Sequence, residues 1–153
     1  MHDYQMVGFF DGAALDGIGG CGFILYISED HVYRGWIGLT TNTNNLAEVT
    51  ALWVLLYWAH ILHIKAFRIF GDSLLVIGWI QGTSIINATN LTHRCYRIKE
   101  LIQLFEQVDF QHIYREHNVE ADNLSKKGIG CPEGYLQIEE ILEGNTSRYS
   151  HRL

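Results

Sequence analysis

TTNTNNLAEVTALWVLLYWAHIL, Thr40 to Leu62, sets the frame for the rest of the chain: a polar cluster opens an apolar helix that carries one carboxylate, Glu48. Thr43, Asn44 and Asn45 are cap-forming residue types, whose short side chains accept hydrogen bonds from the first free backbone N–H groups of a helix. The helix is therefore predicted to start near Asn45, with Glu48 in its first turn. From Leu46 to Leu62 the only strongly polar side chains are Glu48, Thr50 and His60, which predicts burial around most of the circumference. Glu48 has an ordinary explanation, because a first-turn carboxylate complements the helix dipole by up to about 1 kcal/mol. A metal ligand or catalytic group is the alternative, and it gains only if other carboxylates converge on the same point.

On the N-terminal side, Tyr4 to Phe10 has the aromatic and β-branched content of a strand and runs into Asp11 and a Gly-rich turn ending at Gly22. Two further strands, Cys21 to Ser28 and His31 to Ile37, flank the polar pair Glu29 and Asp30 as a tight hairpin, so the three strands form an antiparallel meander. On the C-terminal side, Ala66 to Asp72 is a short apolar strand that returns through the helical crossover to lie parallel to the first. Leu74 to Gly82 reads as a short helix, Leu91 to Val108 as an amphipathic helix, and Phe110 to Glu116 as a fifth strand. Asn118 caps a last helix that ends at Gly128. The order is βββαβααβα, an α/β chain with a five-stranded mixed sheet flanked by helices. Residues 1–130 form the domain; 131–153 form a tail, in which Tyr135 to Leu142 is predicted as a short helix.

A length of 153 residues at 48% hydrophobic suits one domain with a core that needs no disulfide or metal staple. Cys21, Cys95 and Cys131 are widely spaced and contain no CxxC pair, so ordinary thiols are expected. MHDYQMVGFFDG has an early acidic residue and no long apolar core, so no export signal is expected and the chain is expected to be intracellular. The NxS/T sequons at Asn87, Asn90 and Asn145 are then chance matches in polar loops. Leu46 to Leu62 is too short and interrupted for a membrane span of roughly 20 apolar residues. The net charge of −6 argues against a protein that grips nucleic acid through a broad basic surface.

Three carboxylates join Glu48. Asp11 and Asp72 end neighbouring parallel strands, so they emerge at one edge of the sheet, where open α/β sheets place their ligands. Glu48 reaches over that edge if its helix packs on the sheet, and Asp122 in the early last helix is a fourth. Singly, each has a bland role as turn residue or dipole partner. Together they would repel one another unless cations neutralised them. Oxygen-only ligands suit Mg²⁺ or Mn²⁺ rather than Zn²⁺, and a pair of such ions about 3.5 to 4 Å apart is suited to in-line phosphodiester hydrolysis.

FFDGAA around Asp11, TNTNNLAE around Glu48, IFGDSLLVI around Asp72 and YREHNVEADNLSKKG around Asp122 resemble type 1 ribonuclease H, most closely the domains of plant retroelements. The resemblance covers roughly residues 4 to 128. It implies the ribonuclease H-like fold and a Mg²⁺-dependent endonuclease, with Mn²⁺ as a substitute, that cuts the RNA strand of an RNA/DNA hybrid and leaves 3′-hydroxyl and 5′-phosphate ends. Asp11, Glu48, Asp72 and Asp122 match the family's metal-binding carboxylates. By the same matching Thr43, Asn44 and Asn45 contact the nucleic-acid backbone, and Ser73 has a supporting role. A reverse-transcriptase domain is the partner implied if the chain comes from a polyprotein.

Three features depart from the family pattern. The turn after Asp11, GAALDGIGG, lacks the family's GNPG element, leaving backbone around Gly12 and Ala13 for substrate contact. The loop that carries a catalytic His in many members is short, and His117, immediately before Asn118, is only a candidate auxiliary. Gln81 to Asn90 contains no Lys or Arg, so the basic protrusion of some members is missing. A catalytically silent binding domain of the same fold is the alternative function.

Overall fold

The computed structural model describes residues 5–40, 43–86 and 89–153, with the side chains of 89 and 90 outside the description. The sequon residue Asn87 lies outside the described residues. Among the described residues a single sheet of seven strands runs in the order β5-β4-β1-β2-β3-β6-β7. Its strands are β1 (Val7–Leu15), β2 (Ile18–Ser28), β3 (His31–Leu39), β4 (Ala66–Gly71), β5 (Gln107–His112), β6 (Tyr135–Leu142) and β7 (Asn145–Arg152). The helices are α1 (Asn44–Ile61), α2 (Leu74–Gln81), α3 (Thr89–Ile102) and α4 (Val119–Gly128).

The antiparallel meander and the parallel pairing of β4 and β5 form as expected, but α3 ends at Ile102 rather than Val108, β5 spans Gln107–His112 rather than Phe110 to Glu116, and the sheet gains two strands from the tail. Tyr135–Leu142 is not a helix; it is β6, paired antiparallel with β3 and then with β7. Its alternation explains why: Leu136 and Ile138 are buried to the core while Tyr135 is exposed, a period of two. Glu143 and Gly144, at φ 52° and 82°, close the β6–β7 hairpin in the left-handed conformation that a two-residue turn requires. Asn145 begins β7 rather than lying in a loop.

The Gly-rich segment after Asp11 is also strand rather than turn. β1 continues to Leu15, and the reversal is confined to Asp16 and Gly17. Gly20 and Gly22 sit within β2 because a helix backbone lies directly on them: a Cβ at Gly20 would stand 2.1 Å from the Ser125 carbonyl oxygen, and one at Gly22 would stand 2.4 Å from the Ser125 nitrogen. α4 covers this face over a small cluster of Ile24, Trp36 and Leu124. The larger core lies on the other face, where α1 presses Leu52, Leu55 and Leu56 against the sheet and packs on α3. Among the described residues no helix is long and apolar enough to cross a membrane.

The β6–β7 hairpin shares this core. Trp58 of α1, 3% exposed, meets Tyr33 of β3 and both Tyr149 and His151 of β7. If the hairpin belongs to the cooperative unit, Ile138→Ala lowers the free energy of unfolding by about 2–5 kcal/mol in denaturant titration. A loss near zero would mark the hairpin as a separable appendage.

Candidate active site

Parallel pairing of β1 with β4 ends at Phe10 and Gly71. Asp11 and Asp72 therefore follow directly on adjacent strands, although β1 itself runs on past Asp11 beside β2. Thr43 caps α1, its Oγ1 accepting from the Leu46 N–H at 3.3 Å, so the helix begins one residue earlier than expected. Glu48 consequently lies beyond the first turn, which contains no acidic residue, and its dipole role is weakened.

What holds Glu48 is β1. The Gly12 N–H donates to Glu48 Oε1 at 2.6 Å. A Cβ at Gly12 would stand 2.2 Å from the Ala47 carbonyl carbon, so only glycine lets α1 approach this closely. Among the described residues no N–H or hydroxyl group donates to the buried Glu48 Oε2.

One carboxylate oxygen from each of Asp11, Glu48 and Asp72 lies within 4.8 Å of the other two. Asp11 and Glu48 are buried, at 5% and 8% exposure, and Asp72 is half-buried. Burial, then a hydrogen bond with Glu48, then the charges of Glu48 and Asp72, push the Asp11 carboxyl up to about 10. Asp122 contributes a further hydrogen bond to Asp11, which places it at the cluster although it lies outside the tight triad. Its Oδ2 also meets Lys126 Nζ at 2.9 Å. Glu48 is raised as well, chiefly by burial, while Asp11 and the Gly12 N–H act in the opposite direction. A hydrogen bond between two carboxyls needs a shared proton, so without a cation the pair is held together by protonation.

The donor set fits a hard divalent cation. It is made of oxygens, it carries excess negative charge, and Glu48 Oε2 is an orphaned acceptor on a buried side chain. The cleft around these groups has a volume of about 350 Å³. Gly12, Ala13, Asn44, Asn45, Ser73 and Asp122 all line it. Thr43 does not, and its hydroxyl is engaged as a cap. Ser73 caps α2 by accepting from the Val76 N–H at 3.2 Å, which fixes the chain just after Asp72. His117 is exposed and lines a separate small cavity beside Phe9, Tyr26 and Glu120 rather than the acidic cleft.

Two residues were not anticipated as site residues. Arg115 lines the cleft as the one cation among the described residues there, and its charge pulls Glu48 down. It stood in the quoted YREHNVEAD segment, yet nothing in its spacing shows that the short 3-10 turn Arg115–His117 turns it inward. Asn118 was expected as a helix cap, but its side chain makes no capping bond and reaches the site instead, with Nδ2 donating to Asp72 Oδ2 at 3.2 Å.

The family described as reverse transcriptase-like matches residues 9–128. No curated protein matches the sequence. Among solved structures, ribonuclease H1 of the halophilic archaeon Halobacterium salinarum is similar, with TM-score 0.76 and 26% identity over 82% of this chain and 97% of that one. The N-terminal ribonuclease H domain of a Mycobacterium tuberculosis protein gives TM-score 0.74 and 21% identity over 82% and 94% of the two chains. LC11 ribonuclease H1, in complex with an RNA/DNA hybrid, gives TM-score 0.69 and 22% identity over 80% and 95%. The last two establish likeness of fold. The family match ends before the β6–β7 hairpin.

The raised Asp11 carboxyl has a consequence for stability. When unfolded it titrates near 3.8, and when folded without metal it keeps its proton to about 10, so the metal-free protein loses stability as pH rises through that window. Asp11→Asn carries no such charge. In EDTA at pH 8 its Tm is expected to exceed that of the wild type, with a flatter dependence on pH across thermal melts. A lower Tm would mean that Asp11 is ionised and held by a partner.

Proposed function

The chain belongs to the reverse transcriptase-like family, with the type 1 ribonuclease H fold, and on that premise we propose that it is a divalent-metal-dependent endonuclease that hydrolyses the RNA strand of RNA/DNA hybrids. The observation that carries this reading is the convergence of Asp11, Glu48 and Asp72 within 4.8 Å, with Glu48 Oε2 left for a ligand. Asp11, Glu48, Asp72 and Asp122 would hold two Mg²⁺, or Mn²⁺ in their place. Bound there, such ions supply an activated water and neutralise the charge on the leaving oxygen of an in-line displacement, which yields 5′-phosphate and 3′-hydroxyl ends.

The chain's own residues bind and orient. Gly12 donates its N–H to Glu48 and so fixes which oxygen of that carboxylate stays free. Asn44 and Asn45, exposed on the cleft rim in the first turn of α1, present amides to the sugar-phosphate backbone and to a 2′-hydroxyl, the group that distinguishes RNA from DNA. Gly12 and Ala13, with no side chain larger than a methyl group, offer a low wall for close approach of the strand. Arg115 is suited to hold a phosphate oxygen through charge-assisted hydrogen bonds. With a chain charge of −6 and, among the described residues, only Arg115 lining the cleft as a cation, the hybrid needs the bound metal ions, or a neighbouring polymerase domain, for much of its affinity.

Cleavage of an end-labelled RNA/DNA hybrid with Mg²⁺ or Mn²⁺, against EDTA and against duplex RNA and duplex DNA, tests this reading. Metal-dependent cutting of the RNA strand alone is expected, and Asp72→Asn should abolish it while leaving the circular dichroism spectrum unchanged. Absence of cutting at high enzyme concentration would instead leave a silent binding domain, or a domain that needs a neighbouring polymerase domain to hold the hybrid. Arg115→Ala is expected to lower kcat/KM by about 10- to 100-fold, the worth of a hydrogen bond to a charged group. Wild-type kinetics in that variant would remove Arg115 from the phosphate contact.

A further inference from the structure

Asn118 stands at the N-cap of α4, where a side chain of its type ordinarily accepts from the free N–H groups of the first turn. It makes no such bond. The residue is 2% exposed, and Nδ2 donates instead to the Phe10 carbonyl oxygen at 3.0 Å and to Asp72 Oδ2 at 3.2 Å. These acceptors belong to the two adjacent parallel strand ends that deliver the candidate metal ligands, and Phe10 immediately precedes Asp11.

The direction of the amide follows from its neighbours. Exchanging N and O would press Oδ1 against a carbonyl oxygen and a carboxylate oxygen, three acceptors with no proton among them. The opposite side of the amide gains nothing, because Oδ1 is buried without a partner among the described residues. A residue devoted only to stabilising α4 would cap its own helix. This one forgoes the cap and leaves an acceptor unpaired in order to hold two points on β1 and beside β4.

We infer that Asn118 is a positioning residue for the metal site. Its Nδ2 fixes the rotation of the half-buried Asp72 carboxylate and ties the backbone beside Asp11 to the start of α4, four residues ahead of Asp122, so that one amide sets the spacing between ligands carried by three elements. This inference rests on the reading of Asp11, Glu48, Asp72 and Asp122 as divalent-cation ligands. Partners that orient metal-binding side chains typically change metal affinity by about 10- to 100-fold when removed.

The test is Mn²⁺ binding to the whole chain by calorimetry, without nucleic acid, for wild type, Asn118→Ala and Asn118→Asp, each at a temperature where circular dichroism shows it folded. Mn²⁺ affinity is expected to fall about 10- to 100-fold in Asn118→Ala and at least as far in Asn118→Asp, which sets an acceptor against Asp72. In hybrid cleavage kcat should fall with KM unchanged within about two-fold, because the amide holds a ligand and not the substrate. A folded Asn118→Ala protein with wild-type Mn²⁺ affinity and only a lower Tm overturns the proposal.

Should neither variant fold, the side-chain amide resonances of Asn118 in the wild type decide. They are expected to shift and saturate on Mg²⁺ titration, and resonances that stay fixed while the protein binds Mg²⁺ overturn the inference. A wild type that binds Mn²⁺ but cuts no hybrid sinks the nuclease reading alone, and the affinity changes still judge Asn118. A wild type that binds no Mn²⁺ overturns both.

Discussion

The contact between Gly12 and the second turn of α1 is the constraint on which the rest of the site depends. A helix packed on a sheet is normally held off by the side chains that fill the core between them, too far for a short reach from helix to strand. Here the missing side chain at Gly12 lets the Ala47–Glu48 backbone settle on β1, and the Gly12 N–H then takes up one oxygen of Glu48. The hydrophobic stripe behind it, Leu52, Leu55 and Leu56, makes that approach rigid. On the opposite face Gly20 and Gly22 let α4 down in the same way, which brings Asp122 towards Asp11. Two helices thus deliver carboxylates from opposite sides to the point where two parallel strands deliver two more.

Such an arrangement is electrostatically unfavourable as it stands. Asp11 is driven to hold a proton far above the ordinary carboxylate range, and among the described residues the only cation lining the cleft is Arg115. The strain is confined to the edge of the sheet, while the fully buried residues beneath supply the stability that tolerates it. On the proposed reading a divalent cation would resolve the conflict by replacing the proton, and it would invert the sign of a surface that otherwise repels a polyanion. Metal binding and substrate binding would then be one electrostatic event for a chain of net charge −6.

How much of this could be read from sequence depends on the range of the interactions. The parallel return of β4 beside β1 and the convergence of Asp11 with Asp72 follow from a strand–helix–strand order, and both appear as expected. The GAALDGIGG segment was read as a turn because glycine commonly marks one, whereas Gly20 and Gly22 answer to a helix more than a hundred residues away. Tyr135–Leu142 was read as helix because its alternation is short and gains meaning only beside β3. Asn118 was read as a cap from local rules, and its side chain was recruited by β1 and Asp72 instead. In each miss a distant partner overrode a local preference, and two of the three lie against the site.

The hairpin beyond the family match also bears on the site, through a chain of ion pairs on the α4 face. Arg34 of β3 donates from Nε and a terminal nitrogen to Glu120 Oε2 at 2.9 and 2.7 Å, and from its other terminal nitrogen to Glu139 of β6 at 3.3 Å. Tyr26 of β2 holds the second oxygen of Glu120 at 2.9 Å, and Arg148 of β7 meets Glu139 at 2.8 Å. Exposed pairs of this kind are individually worth little, and the Arg148 end of the chain is the weak one. The half-buried Arg34 is different, because one guanidinium engages α4 and the hairpin at once. Glu120 sits two residues from Asn118 and two from Asp122, so the hairpin buttresses the first turn of α4 where a cap is absent. The added strands thereby help to hold in place the helix whose first turn the site has borrowed.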